Sequence, residues 1–402
     1  MGVSTLLEKT KRLGCDEVEV FREEVVERTS NGAGQEMERK SHGYAVRFLK
    51  SWRLGFACDE TPESLFNTLL QRIARLEEFP VAPLSFPKFH DPKRMPLHYD
   101  SDLEREPLGA RVLRLHEIGA LQKASYREWI RQCTLANTHG FDLHSNGSYF
   151  ELSKAGSGRH IQKRRFCDLI GAYRPDPDSI SGANQISLPP RFLLAAPCAA
   201  AVLSLASHIL LQKILLEEKT IASHEVTLID DGTLPFGWGT EPVDGEGSHP
   251  ERTVLIQDGE RTGRIADIKT AWRMNRRPTG NCIRESFHDE PHPGFTNLVI
   301  PPSDNAVDDF LVGEREIFVI DRLDGSQVSE KEIIAVVEGN IFRFGEACEP
   351  WRAPLRVPIE GFLSVIEARF DDMSATGRYH APSLLLHGQG MSRRITRTHH
   401  AI

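Results

Sequence analysis

With 402 residues the chain is long for one hydrophobic core, so two domains are the first expectation. Its 40% apolar and 26% charged residues are the ordinary balance of a soluble globular protein. A formal charge of −8 argues against gripping nucleic acid by its phosphates, which takes a basic face.

The one local basic cluster, Arg393, Arg394 and Arg397 with His399 and His400, reads as part of a flexible tail over 391–402. Seven cysteines are dispersed, none at CxxC spacing, which fits a reducing cytoplasm better than a disulfide framework. The opening MGVSTLLEKTKRLGCDEVEV has no apolar core and no small-residue cleavage site, so no signal peptide is expected.

Val18, Val20, Val25 and Val26 sit among charges in EVEVFREEVVER (17–28), which predicts a strand with one wet face. SHGYAVRFLK and RLGFACDE predict a hairpin joined at Lys50 to Trp52. Thr61, Pro62 and Glu63 open a helix as cap, first-turn proline and first-turn acid. Leu65, Leu69, Ile73 and Leu76 give that helix one apolar face. Residues 79–107 carry six prolines and read as a linker or surface loop. A helix is expected over Leu108–Ala124, then strands over 127–137 and 148–154. Turns are expected at Asn137–Gly140 and, by the stronger signal, at Ser145–Gly147.

The composition changes at 174–190 (RPDPDSISGANQISLPP), and the domain boundary is placed there, between 1–180 and 181–390. Next, 192–211 (FLLAAPCAAAVLSLASHILL) is uncharged over about the length of a bilayer span. Pro197 belongs in a first turn, which leaves Cys198–Leu211 before Lys213, too short to cross. An extended segment leading into a buried helix, Cys198–Glu218, is expected instead. Short apolar runs punctuated by Gly, Pro and Asp follow. The expected fold is α+β: an N-terminal α/β sandwich-like domain, then a mainly antiparallel β, barrel-like domain with one buried helix.

Two N-terminal stretches, AVRFLKSWRLGFACDETPESL and LANTHGFDLHSNGSYFELS, are followed by VTLIDDG, VDGEGSHPERTVLIQDGE, RRPTGNC, TNLVIPP and YHAPSLLLHG. In that order they resemble the TldD/PmbA family along most of the chain. The resemblance implies a zinc peptidase working as two related subunits on flexible peptides or exposed segments of small proteins. One subunit carries zinc on an H-E-x-x-x-H helix, helped by a Cys near the C-terminus; the other lacks both.

On that pattern the ligands belong on the helix before VTLIDDG. It offers His208, followed by Ile209 where the motif has Glu, with Gln212 and Lys213 near the place of a second His. A zinc hydrolase needs three protein ligands and a carboxylate beside the bound water, so no metal is expected in this chain. The C-terminal Cys is missing too, since DDMSATGRYH precedes Ala381. His116-Glu117 and His224-Glu225 lack a second His, and the latter pair is expected to begin a strand.

Cys282 stands six residues before His288, a conceivable nucleophile pair with no third orienting group. His288, Asp289, Glu290 and His292 crowd a Pro-rich loop. Asp230-Asp231 and Asp244-Gly-Glu246 read as turns before they read as cation sites. No phosphate-cradling glycine motif occurs. No catalytic residue is assigned beyond the weak candidates His208, Cys282 and His288.

The expected function is therefore a cytoplasmic, non-catalytic partner subunit. It would complete a chamber around the zinc of a TldD-like subunit and offer edge strands to an extended peptide. Neither nucleic acid nor membrane is expected as a partner, and a homodimer stays open. The alternatives are a stand-alone peptide-processing enzyme with a divergent site, and a regulatory binding protein, as the family has also been described as modulating DNA gyrase.

Overall fold

The computed structural model describes residues 2–387 apart from 32–34, 52, 75–84, 89–94, 123, 155–159, 174–183, 217–221 and 330. The tail over 391–402, much of the proline-rich stretch and most of the boundary segment lie outside the described residues.

Six antiparallel strands form the N-terminal sheet: β1 (Glu17–Ser30), β2 (Glu36–Lys50), β3 (Arg53–Asp59), β4 (Ala124–Asn137), β5 (Asp142–Lys154) and β6 (His160–Lys163). Their spatial order is β3-β2-β1-β4-β5-β6. Helices α1 (Val3–Lys11) and α2 (Pro62–Ala74) cover one face over Val18, Val20, Val46 and Phe48. Helices α3 (Leu108–Glu117) and α4 (Phe166–Ala172) extend the cover over Tyr126, Phe150 and Leu152. Thr61 caps α2 as expected, its Oγ1 accepting the Ser64 N–H at 3.2 Å. The α3 helix stops short of Ala124 because Gly119, at φ +73°, ends it.

Two expectations for this sheet are corrected. The hairpin turn is at Asn137–Gly140, with Gly140 at φ +80°, whereas Ser145–Gly147 lies inside β5. Gly147 serves close approach, since a Cβ there would stand 3.0 Å from Arg164 Nη2. The second correction concerns β1, whose charged face is not wet. Glu19 and Glu23 are 1% and 4% exposed because the C-terminal half packs over them.

That half holds one long helix, α5 (Ala196–Leu215), two large open sheets and a two-stranded ribbon, Cys282–Ile283 with His292–Pro293. The seven-stranded sheet runs Ile366–Arg369, Leu384–His387, Arg191–Leu194, Ile317–Val328, Glu332–Arg343, Glu346–Pro358, Asn184–Gln185. The six-stranded sheet runs Glu260–Arg261, Arg252–Gln257, Leu228–Asp231, Leu298–Val299, Tyr379–Ala381, Ser374–Thr376. Neither closes on itself, so the barrel-like expectation is corrected to a pair of sheets around one helix.

Leu203, Ala206, Leu210 and Ile214 of α5 share one core with Trp351 and Leu355 of the larger sheet and Leu228 and Leu298 of the smaller. Length and apolarity alone would let α5 cross a membrane, but half of it is buried inside this fold. A short strand, Arg191–Leu194, leads into it and Pro197 sits in its first turn. Ser383 Oγ accepts the otherwise orphaned Ala196 N–H at 3.0 Å, which gives the Ala381-Pro382-Ser383 run a structural task.

Strand Glu346–Pro358 pairs with Glu332–Arg343 along its length and, among the described residues, with Asn184–Gln185 at two residues on its other side. Pro350, Pro354 and Pro358 all point their nitrogens toward that sparsely paired side, because a proline has no N–H for the ladder.

Candidate functional site

The buried helix shows first what the chain does not build. His208 is exposed on α5, and the Gln212 amide one turn on lies 3.0 Å from its Nε2. Beside it, Ser207 Oγ donates to the Tyr379 hydroxyl at 3.0 Å. Among the described residues no three of His, Cys, Asp and Glu come together as metal ligands. Zinc chemistry does not fit α5, where one imidazole faces an amide.

The remaining sequence candidates stay apart. His116 and Glu117 are exposed at the end of α3, in the other half. His224 and Glu225 lie in an exposed turn before strand Leu228–Asp231 and do not begin it. Cys282 is buried, while His288 is exposed beside Phe287, its carbonyl 3.8 Å from Cys58 Sγ. Burial together with Glu246 and Asp244 pushes the Cys282 thiol well above its usual range, which disfavours a thiolate. Glu290 pairs with Lys269 and Asp289 bonds Ser286, so the loop to His292 gathers no ligand set.

Asp244 acts in a turn, as read from the sequence, whereas Asp230 and Asp231 end strand Leu228–Asp231, which corrects the turn expected there. Asp244 accepts the N–H groups of Glu246 (3.0 Å), Ser248 (2.8 Å) and Cys282 (3.1 Å), and burial beside Glu246 pushes it up to about 7. Asp230 accepts from Thr296 Oγ1 at 2.8 Å and from the Asn281 amide, and burial pushes it up to about 6. Asn297 Oδ1 accepts the Gly239 N–H at 3.0 Å, and its amide donates to the Asp231 carbonyl at 2.8 Å. These bonds tie the Asp230-Asp231, Thr279-Gly280-Asn281 and Thr296-Asn297 segments into one buried polar knot. The knot fixes the loop that carries Trp238 and Glu241.

That loop closes over the charged face of the N-terminal sheet. Arg47, on β2, gives Nε and Nη2 to Glu19 at 2.9 and 2.8 Å and Nη1 to Glu246 at 2.9 Å. Burial works against the Glu19 carboxylate, yet Arg47 and Arg284 together hold it below its usual range. Arg131, on β4, pairs with Glu23 and donates to the Arg284 carbonyl at 2.8 Å. Farther along, four side chains form a layered stack. Arg127 lies 4.6 Å over Trp129, Trp129 stacks on Tyr149 at 5.1 Å, and Arg164 lies 4.0 Å over Tyr149. Trp238 meets the stack edge-on, and Glu241 accepts from Tyr149 at 2.6 Å and Arg164 at 3.2 Å.

Between the stack and the ion pairs lies a cavity of about 360 Å³, with Arg131, Cys133 and Ser145 on the sheet side and Glu241, Cys282 and Arg284 opposite. Its size is that of a small-ligand pocket. Burial pushes the Cys133 thiol up to about 12. Of the residues weighed in the sequence, Cys282 and Asp244 reach this cavity. The sequence reading does not reach Glu19, Arg47, Arg131 and Arg284 as functional residues. Glu19, Arg47 and Arg131 lie on the same face of neighbouring strands, whereas Arg284 comes from a loop of the other half.

Comparison with known proteins places these features. The family profile described as "PmbA/TldA metallopeptidase C-terminal domain" matches residues 199–393, starting inside α5. An uncharacterized protein of Methanocaldococcus jannaschii is 26% identical over 339 residues, 76% of this chain and 80% of that one. A metalloprotease of Methanothermobacter thermautotrophicus is 32% identical over 133 residues, 32% of this chain and only 29% of its own length. TldE from Thermococcus kodakarensis shares the fold at a TM-score of 0.74 and 17% identity, covering 96% of this chain and 98% of that one. A putative modulator of a DNA gyrase from Thermotoga maritima does so at 0.72 and 16%, covering 96% and 97%. Residues 199–393 thus carry the C-terminal domain of the TldD/PmbA family, and the chain as a whole shares the fold of these solved structures.

Proposed function

We propose that this chain is the non-catalytic partner subunit of a cytoplasmic TldD/PmbA-type zinc metallopeptidase acting on peptides or unfolded small proteins. The observation that carries the reading is α5. The family profile begins in this helix, yet the helix offers one imidazole hydrogen-bonded to Gln212 in place of a ligand set. Hydrolysis at zinc requires three ligands, an open position and a base, so the cutting centre belongs to a zinc-bearing relative. This chain then supplies binding surface. The proline-lined outer side of strand Glu346–Pro358 is a poor place for a peptide to add as a strand. The cavity between the two halves is a better one.

The test is to express the chain with a relative that carries H-E-x-x-x-H, purify the pair, and assay cleavage of unstructured peptides by each alone and together. Cleavage is expected from the pair and from neither chain alone. Full activity of the relative by itself would remove the proposed role.

A further inference from the structure

The cavity between the halves keeps polar atoms that the ion pairs leave idle. Arg131 gives Nε to Glu23 and Nη2 to the Arg284 carbonyl, and its Nη1 has no acceptor among the described residues. Arg284 gives Nη2 to Glu19; its Nε, fully buried, and its Nη1 have no acceptor among the described residues. Both guanidinium groups lie over the ring of Phe21, their Cζ atoms 6.0 and 4.5 Å from its centroid. The Arg284 side chain is only 3% exposed, so water reaches these donors poorly. Burial, with Arg47 close by, pulls its pKa below the usual value, as expected for a cation short of counter-charge.

One idle acceptor faces these donors. Glu241 commits Oε1 to Tyr149 and Arg164, and its Oε2 has no donor among the described residues. Trp129 and Trp238 supply an apolar wall. A buried arginine with unused donors is costly unless an anion completes it, and guanidinium is matched in shape to a carboxylate. The last residue of a peptide offers a carboxylate, one backbone N–H beside it, and a side chain. An internal residue offers an anion only where its side chain is acidic.

We propose that this cavity takes the C-terminal residue of a peptide, with its carboxylate on Arg131 and Arg284, its N–H on Glu241 and its side chain against Trp129 and Trp238. The inference rests on the peptide-handling reading above and adds to it the part of the peptide that is recognised. An acidic side chain carries the same carboxylate chemistry, and the experiment separates the two sources.

The purified chain is titrated calorimetrically at neutral pH with N-acetyl-Ala-Ala-Ala-Leu as the free acid, as the amide, and as an amide with Glu in place of the third Ala. The free acid should bind about tenfold tighter than either amide. Ser145→Phe, which fills the cavity floor beside Gly147, should erase the difference. Should that variant not fold, the comparison in the unaltered chain decides alone. Equal affinity for acid and amide, tight binding of the Glu-bearing amide, or no binding at all overturns the proposal. So does a folded Ser145→Phe that binds normally. A pair that cleaves acid and amide equally well keeps the partner role and loses this assignment. A relative fully active alone loses the partner role and leaves the titration standing.

Discussion

The two faces of the N-terminal sheet are covered by different means. One face meets α1 to α4 mainly through Val18, Phe48, Leu69, Phe150 and other apolar side chains, with one buried ion pair, Arg111 of α3 on Glu128 of β4, among them. The other meets the C-terminal half through Glu19, Glu23, Arg47, Arg131, Glu246 and Arg284, nearly all of them buried. Apolar packing gains free energy in many arrangements, because the hydrophobic effect has no direction. A buried guanidinium bonded to two carboxylates tolerates one arrangement and penalises the rest. The helical face therefore holds the domain together, and the charged face sets how the two halves meet. The cavity exists because that second contact is particular and not merely close.

The largest test of this contrast is Arg47→Met. It strands Glu246 in the interior, leaves Glu19 with Arg284 alone, and should cost about 3–5 kcal/mol. In urea, tryptophan fluorescence from Trp129 and Trp238 at the seam should change before far-UV circular dichroism does. Leu69→Ala on the opposite face should cost about 2–5 kcal/mol while leaving both signals on one transition. A single shared transition for both variants would erase the distinction.

The seam should also respond to acid. Burial, with Lys163 of β6 nearby, lowers the pKa of His380 from 6.5 to about 4. The folded state thus keeps this imidazole neutral while the unfolded chain takes up a proton. Its contribution is complete above pH 6.5 and is lost as the pH falls toward 4, up to about 3 kcal/mol. His380→Gln should flatten the urea midpoint of the protein across that window relative to the unaltered chain. An unchanged slope would count against a buried neutral imidazole.

Gly43→Ala is a smaller perturbation. Its Cβ would stand 2.3 Å from the ring of Phe287, which reaches β2 from the C-terminal half. Overpacking of this kind should cost about 1–3 kcal/mol, and the Arg47→Met variant should mask part of it if the two act on one seam. Strict additivity would separate them. The smallest effect is expected at His208. His208→Ala should leave stability within about 0.5 kcal/mol and leave cleavage by the assembled pair intact. A large loss of cleavage would return α5 to the list of catalytic elements.

Much of this architecture was legible where one residue type meets its simplest physical use. Thr61 and Pro62 announced α2, and Leu65, Leu69 and Ile73 announced its buried face. The uncharged run with Pro197 announced α5, and the lone His208 announced its lack of ligands. Reading failed where a side chain's partner lies far away in sequence. Glu19 in alternation with Val18 and Val20 has the pattern of a wet face, and nothing local discloses Arg284, whose guanidinium reaches it from the other half. Asn146-Gly147 has the composition of a hairpin turn, but Gly147 is there for Arg164. The cavity is made from such distant pairs, so none of its walls could be assembled from local pattern.

The prolines of strand Glu346–Pro358 bear on how the molecule behaves in a crowd. Along its sparsely paired side Pro350, Pro354 and Pro358 remove every second outward N–H, so an approaching strand finds donors only at wide intervals. Two copies of the chain are poorly able to join there, and a peptide's middle gains little by lying along it. On the proposed reading, a subunit that handles unfolded chains would thereby be kept from being zipped to them along this strand, and would meet them by their ends.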